Sequence, residues 1–276
     1  MEKILSVDEK NNKDQKVINR DQIRGLVDKM ATVMVQTGRI LLESGSEVAR
    51  VEKTMDIIGN SVNDIESAIS YVTMTGLMVT VSSHGVVATK IARIHEVGHD
   101  LAKIRRISTL SHRAQTDSMT PEELLEELEI IDKTPQYKPW QFVLFAAIGA
   151  AGFGIFFDEP LSSIPWIFGS ALLVQLIGVY LDRHHINSYL KLLLEAGCAA
   201  VFCYYSSLLS PESQYNSMLL SVLMLLVPGM TLTNSLRDFM SGNYVAGSSR
   251  FTEALLVGIS IAMGTAIAIA LIQGAL

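Results

Sequence analysis

The stretch LLVPGMTLTNSLRDFMSGNYVAGSSRF, residues 225–251, begins as a membrane-grade apolar run and turns strongly polar without a stop. Pro228-Gly229 falls about twelve residues into an apolar segment that starts near residue 215. Proline removes a backbone donor and glycine loosens the chain, so a helix is expected to kink or break there. Thr231, Thr233, Asn234 and Ser235 follow at once, gathering hydroxyls, an amide and unpaired carbonyls just past the break. Broken helices at membrane depth are tolerated where they line a cavity, and in secondary transporters they mark the substrate site. The plainer alternative is an ordinary proline kink in a helix leaving the membrane.

The rest of the chain supplies the context that makes this stretch intramembrane. Residues 1–140 hold 18 of the 22 Lys/Arg and 21 of the 28 Asp/Glu, leaving 4 and 7 for residues 141–276. A charged half followed by a nearly uncharged half is the composition of a polar domain joined, near Pro139-Trp140, to a membrane domain. Apolar runs at roughly 139–157, 164–182, 188–209, 215–236 and 252–273 are each long enough to span about 30 Å of hydrocarbon as a helix. The loops at 158–164 and 207–215 carry no Lys or Arg, whereas Arg183 and Lys191 follow the second run and Arg237 and Arg250 the fourth. The positive-inside bias therefore puts the N-terminal domain in the cytoplasm and the C-terminus outside. The expected fold is an α-helical polytopic membrane protein of about five transmembrane helices with an N-terminal cytoplasmic α/β domain containing a small sheet. No cleavable signal peptide is read in residues 1–24, which are polar and expected to form a disordered tail. Cys198 and Cys203 fall inside the third run, where apolar packing accounts for them better than metal or redox chemistry.

Within the domain at 25–138, apolar periodicity from about Ile23 to Leu42 predicts a helix interrupted at Ser44-Gly45-Ser46. Ser44 with Glu47 has the spacing of a capping box for a second helix that Gly59 would end. Residues 65–94 are rich in Val, Ile, Thr and Tyr, with His84-Gly85 between two strand-like runs, which predicts about three strands. Helices are expected at about 98–115 and 121–132, the second opened by Thr120 as cap, Pro121 at the first position and Glu123 three after the cap.

One motif points elsewhere. His95-Glu96-x-x-His99 has the spacing that puts two zinc-ligating imidazoles on one helix face with a glutamate to activate water. Its context argues against a membrane-bound zinc protease. The flanks are charged (Arg93 and Asp100), Gly98 sits inside the motif, the preceding residues read as strand, and no suitably spaced third ligand follows. Neither a metal nor a cofactor is expected, and no nucleic acid is expected as partner.

Ionisable groups within the apolar runs favour transport. Glu195 lies one turn beyond Lys191 and Glu253 opens the fifth run, so either could carry a coupled proton; both are also near enough to a run's end to be interfacial. The fifth run displays Gly258, Ala262, Ala266 and Ala270 on one face and Ser260, Gly264 and Ala268 on another, ladders that permit close helix contact within the chain or in an oligomer.

Gly38-x-x-Leu41-Leu42-Glu43-Ser44-Gly45-Ser46-x-x-x-Arg50-Val51-Glu52 resembles the N-terminal signature of the threonine/serine exporter family, ThrE-like and YjjP-like proteins. Val227-Pro228-Gly229 with Asn234, Arg237, Asp238, Gly242, Gly247 and Arg250 is similar to that family's membrane motif. The resemblance runs from about residue 25 to the end. It implies a membrane exporter of small polar metabolites driven by the proton gradient, and that His95 and His99 are not a zinc site. Fused members carry a second membrane block, so the resemblance implies a separate small membrane subunit as partner. Threonine and serine are the favoured substrates, with succinate, associated with the split arrangement, as the alternative; a non-transporting sensor is the reading from another class. The expected substrate pathway comprises Pro228, Gly229, Thr231, Asn234, Ser235, Arg237 and Asp238, with Arg237 steering a carboxylate or simply pairing with Asp238. Glu43, Gly45, Glu47 and Arg50 are candidates for gating or regulation.

Overall fold

The computed structural model describes residues 2–95, 97–134, 138–210 and 212–274, with side chains from Arg20 onward apart from Pro139. Glu96 therefore lies outside the described residues. The chain divides into two compact units, one built from residues 1–136 with 234–249 and the other from 137–233 with 250–276.

The first unit opens with α1 (Glu2–Glu43), α2 (Val48–Gly59), β1 (Ser67–Thr73), β2 (Gly76–Ser83), β3 (Val86–Arg93), α3 (Leu101–Thr116) and α4 (Pro121–Lys133). The strands form an antiparallel meander in the order β1-β2-β3. Its second turn is the expected His84-Gly85 pair, both at positive φ (47° and 74°), as a two-residue hairpin loop of the twist-matched kind requires. Leu77, Val79 and Val81 point from the central strand to a buried face packed on α1 and α2. Met30, Met34, Ile40, Leu41 and Leu42 of α1, Met55 and Ile58 of α2, Ile107 of α3, and Leu124 and Leu128 of α4 are the bulky side chains sealed in this core. Gly38 sets the spacing of the layers: a Cβ there would lie 2.5 Å from Met55 Sδ and 2.7 Å from Leu77 Cδ2.

Two expectations need correction. The helix does not begin near Ile23: α1 runs back to Glu2, through the stretch expected to be a polar tail. Between Glu2 and Gly25 there is no proline or glycine, and the Glu, Lys, Gln and Arg there are good helix formers. The Ser44/Glu47 capping box is absent, since Glu47 is the N-cap of α2 and makes no side-chain cap bond. The box at α4 is present as read, Thr120 Oγ1 accepting from Glu123 N–H at 3.3 Å and Glu123 Oε2 from Thr120 N–H at 2.8 Å.

The second unit holds α5 (Pro139–Phe156), α6 (Ile164–Arg183), α7 (Ser188–Leu209), α8 (Tyr215–Leu223), the start of α9 (Gly229–Met240) and most of α10 (Tyr244–Gly274). Among the described residues α6, α7 and α10 are long and apolar enough to cross a membrane, and the apolar part of α5, Trp140–Phe156, is shorter. The surface is inverted relative to a water-soluble protein. Small residues such as Ala147, Ala150, Ala171, Ala199 and Ala200 fill the interior, while Phe145, Ile148, Leu173, Leu208, Leu255 and Ile267 face outward. Ser170 and Ser206 bridge α6 and α7 at 3.1 Å, a polar tie suited to a setting without a hydrophobic driving force between helices. The apolar run at 215–236 is two helices. After Leu223 the α-helical ladder gives way to tighter turns, Leu225 N–H to Val222 O and Leu226 N–H to Leu223 O, and α9 starts only at Gly229. The break falls where the proline demands it.

Among the described residues, one of the two small-residue faces of α10 is packed inside the chain. Gly264 meets α7, where a Cβ would sit 2.0 Å from the carbonyl oxygen of Leu193, and Ala268 is buried; Gly258, Ala262, Ala266 and Ala270 are exposed. Gly264→Ala is therefore expected to destabilise this unit by about 1–3 kcal/mol through overpacking. Gly258→Ala, with nothing within 4 Å of its Cβ, should be neutral. Thermal unfolding of both variants in the same detergent checks the contrast.

Candidate functional site

The chain reverses after α1 because Gly45 takes φ 83°, a left-handed conformation that a side chain strains. Gly45 N–H bonds Leu42 O at 2.9 Å and Ser46 N–H bonds Leu41 O at 3.0 Å, the paired bonds of a Schellman stop. Two carbonyls at this helix end remain to be satisfied. They are met by the segment that carries the zinc-like motif: Gly98 N–H reaches Glu43 O at 2.7 Å and Asp100 N–H reaches Ser44 O at 3.0 Å. The described residues from Ile94 to Asp100 are not helical, so His95 and His99 do not share a helix face. This segment is a backbone strap across the end of α1. Asp100 serves twice, its carboxylate also capping α3 by accepting from Lys103 N–H at 2.9 Å.

The start of α2 is satisfied from far along the chain. Val48 N–H donates to Asp238 Oδ1 at 3.1 Å across 190 residues, so a buried aspartate on α9 supplies the cap that Ser44 does not. Asn234, one turn earlier on α9, donates from Nδ2 to Gly45 O at 3.0 Å. Arg237 Nη1 lies 3.0 Å from Glu47 Oε2, an ion pair in which Glu47 is mostly buried and Arg237 half-exposed. Arg50 Nε stands 3.4 Å from the other Glu47 oxygen. α9 is itself fixed to the chain that follows. Gly242, at φ 83°, makes a second Schellman stop, with Gly242 N–H to Phe239 O and Asn243 N–H to Asp238 O. Ser235 Oγ donates to Gly247 O at 2.8 Å, and the Phe239 ring lies over Gly247, where a Cβ would come within 2.8 Å of it.

Five of the residues singled out in the sequence thus meet in one cluster: Gly45, Glu47, Asn234, Arg237 and Asp238. Arg50 sits on its rim. Glu43 lies on the neighbouring face of the α1 end, 3.2 Å from Arg39 Nη1. Pro228, Gly229 and buried Thr231 belong to the apolar unit. Glu195 is also there, buried 4.0 Å from Lys191 Nζ, which Asp182 holds at 2.7 Å. Its carboxylate rests against Gly178 of α6, where a Cβ would overlap Oε1. Glu253 is half-buried in the same unit. The sequence reading missed three contributors: Val48 as donor, and Gly98 and Asp100 as the strap. A glycine two residues past an apolar helix face signalled the stop, but nothing local signalled where its donors would come from.

Next to Asp238, Glu52 accepts from Val72 N–H at 3.2 Å. Burial pushes its carboxyl above the usual carboxylate range; the Val72 bond opposes this, and the charges of Asp56 and Asp238 add to it. Among the described residues no three His, Cys, Asp or Glu side chains are grouped as metal ligands.

Residues 32–272 match the model of the ThrE family, described as "Putative threonine/serine exporter". The chain belongs to that family, a family of membrane exporters. No curated protein and no solved structure matches it.

Two outcomes follow from the cluster. Asp238→Ala removes the distant cap and should lower stability by at least about 1 kcal/mol, Asp238→Asn by less, as measured by denaturation in detergent. Glu52, with its folded pKa raised, contributes stability below its unfolded pKa that is lost as pH rises through the folded value. Glu52→Gln should therefore raise the melting temperature at about pH 7.5 and leave it unchanged at about pH 4. An unchanged melting temperature at both would show that Glu52 ionises normally.

Proposed function

We propose that this family member is a subunit of a proton-driven exporter of small polar metabolites, threonine and serine first, with succinate as the alternative cargo, and that it is not an enzyme. The observation that carries the reading is the meeting of the two family motifs at Gly45-Ser46-Glu47-Val48. Asn234, Arg237 and Asp238 reach it from α9, the helix that begins at the Pro228-Gly229 break. A break in an apolar run exposes backbone groups that a polar substrate can use. Thr231 and the backbone about Pro228-Gly229 form the substrate pathway. Asn234, Ser235, Arg237 and Asp238, whose polar groups are engaged with the first unit's backbone and Glu47, form one side of a gating joint within that unit. Glu43, Gly45, Glu47 and Arg50 are its other side. Glu195, an interior carboxylate beside a lysine, is the first candidate for the coupled proton, and Glu253 the second.

The polar domain is cytoplasmic and the chain crosses the membrane about five times, ending outside; the charge bias of the loops supports this orientation. A separate small membrane subunit completes the pathway. The exposed ladder of Gly258, Ala262, Ala266 and Ala270 is the face on α10 suited to a close helix contact with it, or with a second copy in an oligomer.

The test is efflux of labelled threonine, serine and succinate from vesicles carrying the chain with and without its candidate partner, in the presence and absence of a protonophore. Protonophore-sensitive efflux that needs both chains is expected. Asn234→Ala and Glu195→Gln should each reduce it about tenfold or more at normal expression. Efflux unchanged in both variants would remove the assigned roles, and no flux of any of the three compounds would favour a sensor.

A further inference from the structure

The strap that caps α1 forms one wall of an open pocket of about 370 Å³ whose other lining comes from the ends of α1 and α4 and the first turn of α3. That volume lies at the small end of the ~300–1,000 Å³ typical of metabolite pockets. Its lining carries both signs of charge: Glu43, Asp100 and Asp132 stand with Lys103 and Lys133, His99 adds an imidazole, and Ile40 is the lone large apolar contribution. Arg39 bridges the two carboxylates from behind, 2.7 Å from Asp132 Oδ2 and 3.2 Å from Glu43 Oε2. Lys103 Nζ donates to Asp132 O at 2.8 Å and stands 3.5 Å from its Oδ1. Lys133 pairs with Glu129 one turn back on α4, and each of these groups keeps bonding capacity beyond its partners. A lysine has three donors and a carboxylate about four acceptor positions.

We propose that this cavity binds a small free α-amino acid, its ammonium between Glu43 and Asp132 and its carboxylate toward Lys103 and Lys133. The C-termini of α1 and α4 both end at the cavity, and their dipoles favour a cation at the ammonium position. A dicarboxylate brings no ammonium, so it can engage Lys103 and Lys133 but leaves the acceptor positions of Glu43 and Asp132 that Arg39 does not fill unmet. The scarcity of apolar lining selects a short hydroxylated side chain over leucine or phenylalanine.

Placement gives the site its consequence, which rests on the exporter reading. The wall residues Gly98 and Asp100 bond to Glu43 O and Ser44 O, and the next residue is Gly45, whose carbonyl is held by Asn234. The His99 ring lies beside Gly45, with Nδ1 3.5 Å from where a Cβ would be. A ligand that tightens or shifts the strap acts directly on the joint to α9. The exported amino acid thereby reports its own concentration to the exporter.

The experiment is calorimetric titration of the full-length chain in detergent with L-threonine, L-serine, L-leucine and succinate, on wild type, Glu43→Gln and Lys133→Gln. Both positions are solvent-accessible, and a matched melting temperature confirms that each variant is folded. Threonine and serine should bind wild type with leucine and succinate much weaker, and each variant should weaken threonine at least tenfold. Binding that is unchanged in both variants, a preference for succinate, or no binding at about 10 mM would overturn the proposal. Flux measured in parallel separates the two readings. Variant-sensitive binding without flux keeps the pocket and removes the exporter, whereas flux without such binding removes the pocket alone.

Discussion

The hydrogen bond from Val48 N–H to Asp238 is the constraint on which the first unit's arrangement turns. A helix start leaves backbone donors that must be satisfied, and a buried one left unpaired costs about 1–3 kcal/mol. Ser44 and Ser46 lie close by in sequence and are both buried, yet the bond goes to a carboxylate 190 residues away. α2 is therefore complete only when α9 is in place. The same economy governs the end of α1, where carbonyls are met by the strap at Gly98 and Asp100 and by the amide of Asn234. Two helix termini that face each other across Gly45-Ser46-Glu47 are finished by two separate distant segments, and that is how the joint is built.

This explains why the two sequence motifs are so different in composition and yet belong together. The first needs a glycine for the left-handed turn, where a Cβ would also lie 2.5 Å from Gly98 O of the strap, and a glutamate to receive Arg237. The second needs a proline and glycine to end the membrane segment, then an amide, a cation and a carboxylate at helical spacing. Asn234, Arg237 and Asp238 are three and four residues apart, hence on one face of α9. Gly242 then stops α9, and Gly247 receives the ring of Phe239 so that the chain can turn back closely.

Much of this was legible in the sequence, and what was not has a physical reason. The helix break at Pro228, the Thr120–Glu123 box and the His84-Gly85 turn depend on bonds between near neighbours, so local residue types determine them. The strands were readable from their β-branched and aromatic content but not from alternation. Ile69, Tyr71, Met78, Val87 and Ile91 are exposed on the sheet's outer face, so both faces look apolar. The Ser44/Glu47 box failed because the pattern offers a cap without saying that a better acceptor will arrive from elsewhere. The His95–His99 pattern was rightly set aside on its context: spacing implies a shared face only within a helix, and here the backbone of Gly98 and Asp100 does the bonding. Asn234, Arg237 and Asp238 lie in one cluster, but their partners there were beyond any local signal.

The energetics of the joint suit a part that moves. A neutral hydrogen bond such as Asn234 to Gly45 contributes about 1 kcal/mol, a cap about 0.5–2, and a partly exposed ion pair such as Arg237–Glu47 about 1 or less. Together these come to a few kcal/mol, spread over polar contacts that water can replace. Allosteric couplings are typically 1–3 kcal/mol, the same size as these contacts. The contact of Gly264 with the backbone at Leu193 is of another kind. It is steric and offers no alternative partner. Steric contacts of this kind resist displacement, whereas polar contacts can be exchanged for water. The chain places the first deep in its apolar unit and the second in the polar unit, on the helix that follows the break.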